Sequence, residues 1–80
     1  MYYVYLLRSI GFPNQIYVGY STDLKKRLKD HNSGKSTFTN KFKPWKIVCY
    51  LAFEKERSAK DFESYLKSGS GIAFRNKRFI

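Results

Sequence analysis

The segment from Gln15 to Asn32, QIYVGYSTDLKKRLKDHN, reads as a short strand that leads directly into a helix. Residues Ile16–Tyr20 are mostly β-branched or aromatic, a composition that is typical of strands. Residues 21–23 are Ser, Thr and Asp, whose side-chain oxygens can accept hydrogen bonds from the free N–H groups at a helix start. We therefore predict a helix from about Thr22 to Asp30 or His31, because the following Asn-Ser-Gly is a normal helix ending.

The predicted helix has one apolar stripe with a polar pair beside it. Leu24 and Leu28 are four residues apart and define the apolar stripe. Arg27 and His31 are also four apart, so they lie one above the other on the flank of that stripe. The strand that carries Tyr17 thus leads into a helix that presents a guanidinium and an imidazole, which is a plausible site for an anion.

The rest of the chain supplies two further strands and two further helices. Residues 2–7 form a continuous apolar run that predicts a central strand buried on both faces, and the Gly/Pro turn after it predicts a hairpin. The other predicted elements are a loop at Lys35–Lys43, a strand at Trp45–Phe53, a helix at Ser58–Lys67 and a last short helix or turn from Ser70. The fold class is α+β (a small α/β sheet): three mainly antiparallel strands flanked by helices in the order β-β-α-β-α-α. Eighty residues leave room for one domain, residues 1–80.

Three details of the predicted elements can be compared with a structure. Gly19, inside the second strand, indicates a bulge or a close approach of another group to the backbone. Ser58 with Asp61 resembles a capping box for the second long helix, and Gly69 is a suitable residue just after its end. In the last helix we expect three side chains to face inward: Ile72, Ala73 and Phe74. We expect three others to face outward: Arg75, Lys77 and Arg78.

The charge of the chain indicates a polyanionic partner. Sixteen Lys and Arg oppose six Asp and Glu, for a formal net charge of +10. Apolar runs are far shorter than a membrane span, and the N-terminus does not resemble a signal peptide. Nucleic acid, DNA or RNA, is therefore the expected partner rather than a membrane, although a basic protein that coats phosphate without chemistry has the same charge. The single cysteine, Cys49, lies in an apolar strand and is expected to fill the core of a protein in the reducing cytoplasm.

Four residues near the strand–helix segment could carry chemistry. Tyr5 and Tyr17 fall on neighbouring strands, where tyrosines usually pack, but a phenol pair beside a basic helix could activate a water molecule. Arg27 is either a solvated helix residue or a forked donor for phosphate. His31, the single histidine, either interacts favourably with the helix dipole or exchanges a proton near neutral pH.

Glu63 is a carboxylate at the edge of a helix face that should be buried. It is either paired with a cation such as Arg27 or Lys67, which helix geometry favours slightly, or it is a ligand of a divalent metal ion. A hard ion such as Mg²⁺ accepts one carboxylate together with waters and phosphate oxygens.

Together these residues resemble the GIY-YIG nuclease superfamily over residues 2–76. The two family tripeptides correspond to residues 3–5 and 17–19, the first of which opens with Tyr3 where the family has Gly. The other corresponding residues are Arg27 and His31 in DLKKRLKDHN, the metal-binding Glu63 in AKDFESYLKSGSG, and a supporting Asn76. The chain is similar in particular to small stand-alone bacterial domains like the N-terminal nuclease module of the excision-repair protein excinuclease C.

The resemblance implies hydrolysis of phosphodiester bonds in DNA, in repair or recombination, with the help of one Mg²⁺ or Mn²⁺ at Glu63. Tyr5, rather than Tyr17, is expected to activate the water, and Gly19 and Asn76 to support the site. Arg27 is expected to stabilise the charge on phosphorus, and His31 to position or relay the proton. A protein partner that supplies specificity is a further expectation, because the chain adds no separate DNA-binding domain.

An alternative is a catalytically idle nucleic-acid-binding module on the same fold. Its basic surface would bind phosphates, and its rings would stack on unpaired bases. The lysines expected to contact nucleic acid in either case are Lys26, Lys35, Lys41 and Lys43. The rings expected to stack in the alternative are Phe38, Phe42 and Trp45, the last of which could equally belong to the core.

Overall fold

The computed structural model describes all residues from Met1 to Ile80. Its elements are β1 Tyr2–Ser9, β2 Ile16–Ser21, α1 Leu24–Asn32, α2 Thr37–Asn40, β3 Trp45–Phe53, α3 Glu56–Leu66 and α4 Gly69–Arg78. The three strands form one antiparallel sheet in the order β2-β1-β3, which confirms β1 as the central strand. The predicted α+β class and order of elements are confirmed, with the one-turn helix α2 as an addition.

The sheet has a helical layer on each side. On one face, α3 covers an apolar cluster whose fully enclosed members are Val4, Leu6, Val18, Ala59 and Leu66. On the other face, α1 covers a second cluster of Tyr5, Leu7 and Trp45. Successive β1 side chains alternate between the two faces, as strand geometry requires. Cys49 packs against the first cluster, as expected, and burial raises the pKa of its thiol.

Helix α1 begins at Leu24, two residues after the predicted start at about Thr22, and its N-cap is Asp23, one of the predicted helix-start residues. The Asp23 side chain accepts a hydrogen bond of 3.1 Å from the backbone N–H of Lys26, which satisfies one of the free donors of the first turn. Gly34, with a φ of 85°, follows the end of the helix and turns the chain away from it. The Asn32 side chain donates a hydrogen bond of 3.1 Å to the carbonyl of Trp45, so the end of α1 is attached to the start of β3.

The segment predicted as a loop contains a single helical turn, α2. Its residue Thr39 is fully enclosed, and the Trp45 indole N–H donates a hydrogen bond of 2.8 Å to the Thr39 carbonyl. No helical periodicity marks this stretch, because tertiary contacts rather than an amphipathic pattern stabilise it.

The predicted start of α3 is wrong, and so is its capping box. The helix begins at Glu56, two residues before Ser58, and its N-cap Lys55 makes no side-chain cap. Glu56 accepts a hydrogen bond of 2.7 Å from the Tyr20 hydroxyl, which attaches this first turn to β2. An acidic residue in the first turn also interacts favourably with the helix dipole, so the helix starts without a capping serine.

The expected orientation of α4 is also wrong. Gly69 does not end the preceding helix; it opens α4, and the side chain of Ser68 caps α4 by accepting from the Gly71 N–H. A Cβ atom at Gly71 would overlap the backbone carbonyl of Tyr65, so this glycine lets α4 lie directly against the end of α3.

This contact determines which side chains of α4 face inward. The inward positions are 71, 75 and 79, spaced four apart, so Arg75 is half-buried while Lys77 and Arg78 are exposed as expected. The three apolar side chains expected inside are exposed instead: Ile72, Ala73 and Phe74. None of the helices is both long and apolar enough to cross a lipid bilayer.

Candidate active site

The site is built around Tyr5, which is 1% exposed on the central strand. Tyr5 pairs with Gly19 of β2, and its ring lies directly over that glycine. A Cβ atom at position 19 would overlap the ring carbon and hydroxyl of Tyr5, so only glycine permits this arrangement. The close approach predicted for Gly19 is confirmed.

Two side chains of α1 contact the Tyr5 hydroxyl. A hydrogen bond of 2.9 Å joins it to Nε2 of His31, and Nε of Arg27 donates to it over 3.4 Å. The predicted Arg27/His31 stack is thus present, and both members contact one phenol. This contact explains why His31 is 0% exposed although it lies in the last turn of a surface helix.

Thr39 completes the hydrogen bonding of His31. Its Oγ1 lies 2.8 Å from Nδ1 of His31, so both ring nitrogens of the imidazole have partners within the protein. Sequence reasoning missed Thr39, because a threonine in an aperiodic loop carries no signal of its burial.

Tyr17 forms the more open wall of the same cluster. Its ring centroid lies 4.8 Å from that of His31 and 6.4 Å from that of Tyr5. On its outer side it lies 6.1 Å from the ring of Phe38. Tyr17 is half-buried, so it connects the enclosed phenol to a cavity at the edge of the sheet.

The ionisation of the cluster follows from burial and from one positive charge. Burial raises the pKa of Tyr5, although the hydrogen bond and the charge of Arg27 oppose that effect. The same hydrogen bond raises the pKa of Arg27 further above its usual value. Burial, assisted by Arg27, lowers the pKa of His31. At neutral pH the site therefore holds a neutral phenol, a neutral imidazole and a charged guanidinium.

Glu63 does not touch this cluster. It projects from α3, on the opposite face of the sheet, and its carboxylate lies 3.2 Å from Nζ of Lys67. Lys67 is one of the two cations that the sequence offered as its partner. The negative charge of Glu63 is nevertheless close enough to contribute, as the smallest of several causes, to the raised pKa of Tyr5.

The donor set around Glu63 restricts the kind of metal ion that could bind there. No group of three or more His, Cys, Asp or Glu side chains lies together anywhere in the protein, so a zinc or calcium site with several protein ligands does not fit. A lone, partly exposed carboxylate fits Mg²⁺ or Mn²⁺, which keep several waters and take phosphate oxygens from a substrate.

The remaining predicted residues lie outside the cluster. Asn76 is exposed on α4 and makes no hydrogen bond to the site residues. Trp45 is 2% exposed, so its alternative role as a stacking ring is wrong. The four lysines predicted to contact nucleic acid are all exposed, and only the second of them forms an ion pair, with Asp30: Lys26, Lys35, Lys41 and Lys43.

Comparison with known proteins agrees with this geometry. A family model described as the GIY-YIG catalytic domain matches residues 1–76. A UPF0213 protein of Streptococcus pyogenes serotype M3 is 35% identical over 66 residues, which cover 81% of this chain and 70% of that protein. The solution NMR structure of the UPF0213 protein BH0048 from Bacillus halodurans superimposes with a TM-score of 0.57 at 30% identity, over 99% of this chain and 87% of that one.

A longer relative is the structure-specific endonuclease subunit SLX1 of Kluyveromyces lactis. It is 41% identical over 69 residues, which cover 78% of this chain but only 24% of that protein, so this chain spans about a quarter of its length. The family match over nearly all of the sequence confirms the resemblance that the two tripeptides indicate. The chain belongs to the GIY-YIG nuclease family.

Proposed function

We propose that this chain is a divalent-metal-dependent endonuclease that hydrolyses phosphodiester bonds in DNA. The observation that supports this most strongly is the Tyr5 hydroxyl, which lies within hydrogen-bonding distance of a charged guanidinium and a neutral imidazole. A phenol with a proton acceptor on one side and a cation on the other is arranged for proton transfer at a phosphate.

The proposed proton route begins at the attacking water. Tyr5 takes a proton from the water on its oxygen and passes its own proton to Nε2 of His31, while Nδ1–H of His31 donates to Thr39. A neutral phenol is a poor base alone, but the lowered pKa of His31 keeps the imidazole free to accept at neutral pH. The hydroxide attacks phosphorus, the P–O bond to the leaving oxygen breaks, and that oxygen takes a proton from solvent. His31 then returns its proton to the Tyr5 oxygen, and Tyr5 releases one proton to solvent, which restores the neutral imidazole.

Substrate would reach the phenol pair from the side of Tyr17, because Tyr17 is half-buried and Tyr5 is enclosed. Tyr17 orients the water from this side. Arg27 lies close to both the phenol and the incoming phosphate and stabilises the negative charge that develops in the transition state.

Glu63 would hold one Mg²⁺ or Mn²⁺ at the edge of the sheet, after exchanging its contact with Lys67. When bound, the ion supplies positive charge to the phosphate and to the leaving oxygen.

The proposal also covers the nucleic acid that is cut, the protein partner and the cellular setting. The exposed lysines would bind the phosphate backbone: Lys26, Lys35, Lys41 and Lys43. DNA is preferred over RNA because of the family. The SLX1 relative is named as a subunit of a structure-specific endonuclease, which supports a substrate of particular structure and a protein partner for this chain as well. We propose branched DNA as that substrate and repair or recombination as the context. The 80 residues are proposed to act as one nuclease domain in the cytoplasm.

The direct test is nicking of supercoiled plasmid and of a branched oligonucleotide with Mg²⁺ or Mn²⁺. We expect Glu63→Ala to abolish cleavage, and Tyr5→Phe to reduce it by about a hundredfold or more, as for loss of a general base. The matched control is Glu54→Ala, since Glu54 is an exposed carboxylate without an ion pair. Wild-type cleavage no faster than that of Glu63→Ala would refute the proposal.

A second candidate function is binding without catalysis. The pairing of Glu63 with Lys67 favours it, because a carboxylate held by a lysine is less available to a metal ion. This candidate predicts tight, salt-sensitive DNA binding with no product at any Mg²⁺ or Mn²⁺ concentration. Observation of product that depends on Glu63 would exclude it.

A further inference from the structure

A cavity of about 310 Å³ lies at the exposed edge of strand β2. Tyr17 and Phe38 line it from one face of the sheet, and Leu66 and Ile72 line it from the other. Its walls are mostly apolar, and its only charged members are Lys67 and Arg75. The cavity therefore joins the face that carries Tyr5 and Tyr17, called the catalytic face after its proposed role, to the face that carries Glu63.

Arg75 is a cation without a partner in the protein. Its Nε atom is buried and donates to no hydrogen-bond acceptor, and its guanidinium forms no ion pair. The other cation, Lys67, is engaged with Glu63. A half-buried guanidinium is costly unless an anion compensates it, and burial accordingly lowers the pKa of Arg75. The free donors of Arg75 mark the cavity as suited to an anionic group.

Phe38 gives the cavity an exposed aromatic wall. It is 55% exposed on the single turn α2, and its ring is inclined by only 34° to that of Tyr17. A large apolar ring held open to solvent beside a second ring is a stacking surface for a planar ligand. Ile72, 38% exposed, extends the apolar wall from the other side.

We propose that this cavity holds one unpaired nucleotide of the DNA substrate, with its base against Phe38 and its phosphate on Arg75. The volume is at the lower end of the range for small-ligand pockets, about 300–1,000 Å³, so it admits a single nucleotide but not a duplex. The apolar walls exclude a bare phosphate ion as the preferred occupant, and the unpaired cation excludes an apolar ligand. The inference rests on the proposed function in taking DNA as the ligand.

This occupant gives the nuclease a preference for substrate structure. A duplex that contains a bulge, flap or branch point supplies an unpaired nucleotide, whereas an intact duplex must first unstack one. Because Tyr17 belongs to both the cavity and the catalytic cluster, the captured nucleotide lies next to the bond that is cut.

The test is a binding measurement that requires no cleavage. The intact chain, in EDTA, is titrated into a fluorescein-labelled duplex with one unpaired 2-aminopurine nucleotide and into the fully paired duplex. We expect at least about tenfold tighter binding to the first probe, the amount that one base stack contributes, with a change in the 2-aminopurine fluorescence as the base leaves the duplex stack.

Two variants separate the two contacts. Phe38→Leu should remove the fluorescence change and most of the preference for the unpaired probe, without altering the salt dependence of binding. Arg75→Met should reduce the salt slope of binding by about one phosphate contact. The matched controls are Phe12→Leu, an equally exposed phenylalanine on the hairpin, and Arg78→Met, an exposed arginine on the same helix. Both controls should retain the preference for the unpaired probe.

Equal affinity for the two probes, or a loss in Phe38→Leu no larger than in Phe12→Leu, would overturn the inference. If Arg75→Met does not fold, as judged by Trp45 fluorescence, Phe38→Leu carries the test alone. If the protein nicks plasmid but does not prefer the unpaired probe, the proposed nuclease function stands and the proposed nucleotide site is wrong. If the protein prefers the unpaired probe but never cleaves, the nucleotide site stands and the proposed nuclease function is wrong.

Discussion

The two faces of the sheet are built from the same strands but packed in opposite ways. Toward α3, β1 presents Val4 and Leu6 to an interior of apolar side chains. Toward α1, the same strand presents Tyr5, whose hydroxyl joins a buried hydrogen-bonded series that continues through His31 to Thr39. One strand thus supplies an apolar interior on one side and the proposed catalytic phenol on the other, because successive side chains alternate.

The two faces differ in whether they enclose hydrogen-bonded polar side chains. A buried imidazole is destabilising unless both ring nitrogens are hydrogen-bonded, and here both are. The apolar face has no such requirement, and its stability depends instead on the close packing of its apolar side chains. Substitutions on the two faces should therefore separate stability from activity.

The largest effect on stability is expected on the apolar face. Leu6→Ala removes a fully enclosed side chain and should lower the free energy of unfolding by about 3–5 kcal/mol. The site residues face the other side, so the cleavage rate per folded molecule should not change. Urea denaturation followed by Trp45 fluorescence measures the first quantity, and plasmid nicking normalised to the folded fraction measures the second.

Leu6→Val provides a milder control if Leu6→Ala leaves too little folded protein. A normalised rate that falls in parallel with stability in both variants would show that the two faces are coupled, contrary to the comparison.

The next largest effect is expected where the catalytic face has no spare space. Gly19→Ala forces a methyl group into the ring of Tyr5, which should cost up to about 3 kcal/mol and displace the hydroxyl from His31. Cleavage should be lost even at temperatures where the variant is folded. NMR chemical shifts of the single histidine ring report the displacement directly.

Gly11→Ala is the matched control for this substitution. Gly11 lies in the same hairpin, and a Cβ atom there meets no atom within 4 Å. Unchanged His31 shifts and full activity in Gly19→Ala would mean that the Tyr5 ring moves away without consequence, and the role assigned to this glycine would be wrong.

Much of this fold could be predicted because it depends on short-range periodicity. A continuous apolar run predicted the central strand, and the spacing of four between Arg27 and His31 predicted that both lie on one flank of α1. The predicted orientation of α4 is wrong because Gly71 packs on the backbone carbonyl of Tyr65, and this contact turns the apolar side chains of α4 outward. The burial of Thr39 was missed because it depends on contacts between residues distant in sequence, which no local pattern encodes.

A smaller effect is expected for Thr39 itself. Thr39→Val keeps the shape of the side chain but leaves Nδ1 of the buried His31 without a partner, which should cost about 1 kcal/mol or somewhat more. Thr37→Val, on the exposed side of the same helical turn, should be nearly neutral. Activity that survives Thr39→Val unchanged would remove Thr39 from the proton route and leave it a packing residue.

The smallest effect is a pH dependence that only the catalytic face should show. Burial and the charge of Arg27 lower the pKa of His31 in the folded protein, with Asp30 opposing this. The unfolded chain therefore takes up a proton more readily below about pH 6.5. The contribution of neutral His31 to the free energy of unfolding should be fully present above about pH 6.5. It should fall as the pH drops from there toward the lowered pKa of His31 in the folded protein.

The chain has one histidine, so a change in the free energy of unfolding with pH near the pKa of an imidazole can be assigned to His31. Urea denaturation between pH 8 and 5.5 should give a slope in wild type, up to about 1.4 kcal/mol per pH unit, and none in His31→Gln. Leu6→Val, altered on the other face, should keep the wild-type slope at lower overall stability. If the pH dependence of stability persists in His31→Gln, the titrating group lies elsewhere in the protein. The pKa of His31 would then not be lowered, and the imidazole would lose its proposed role as the neutral proton acceptor.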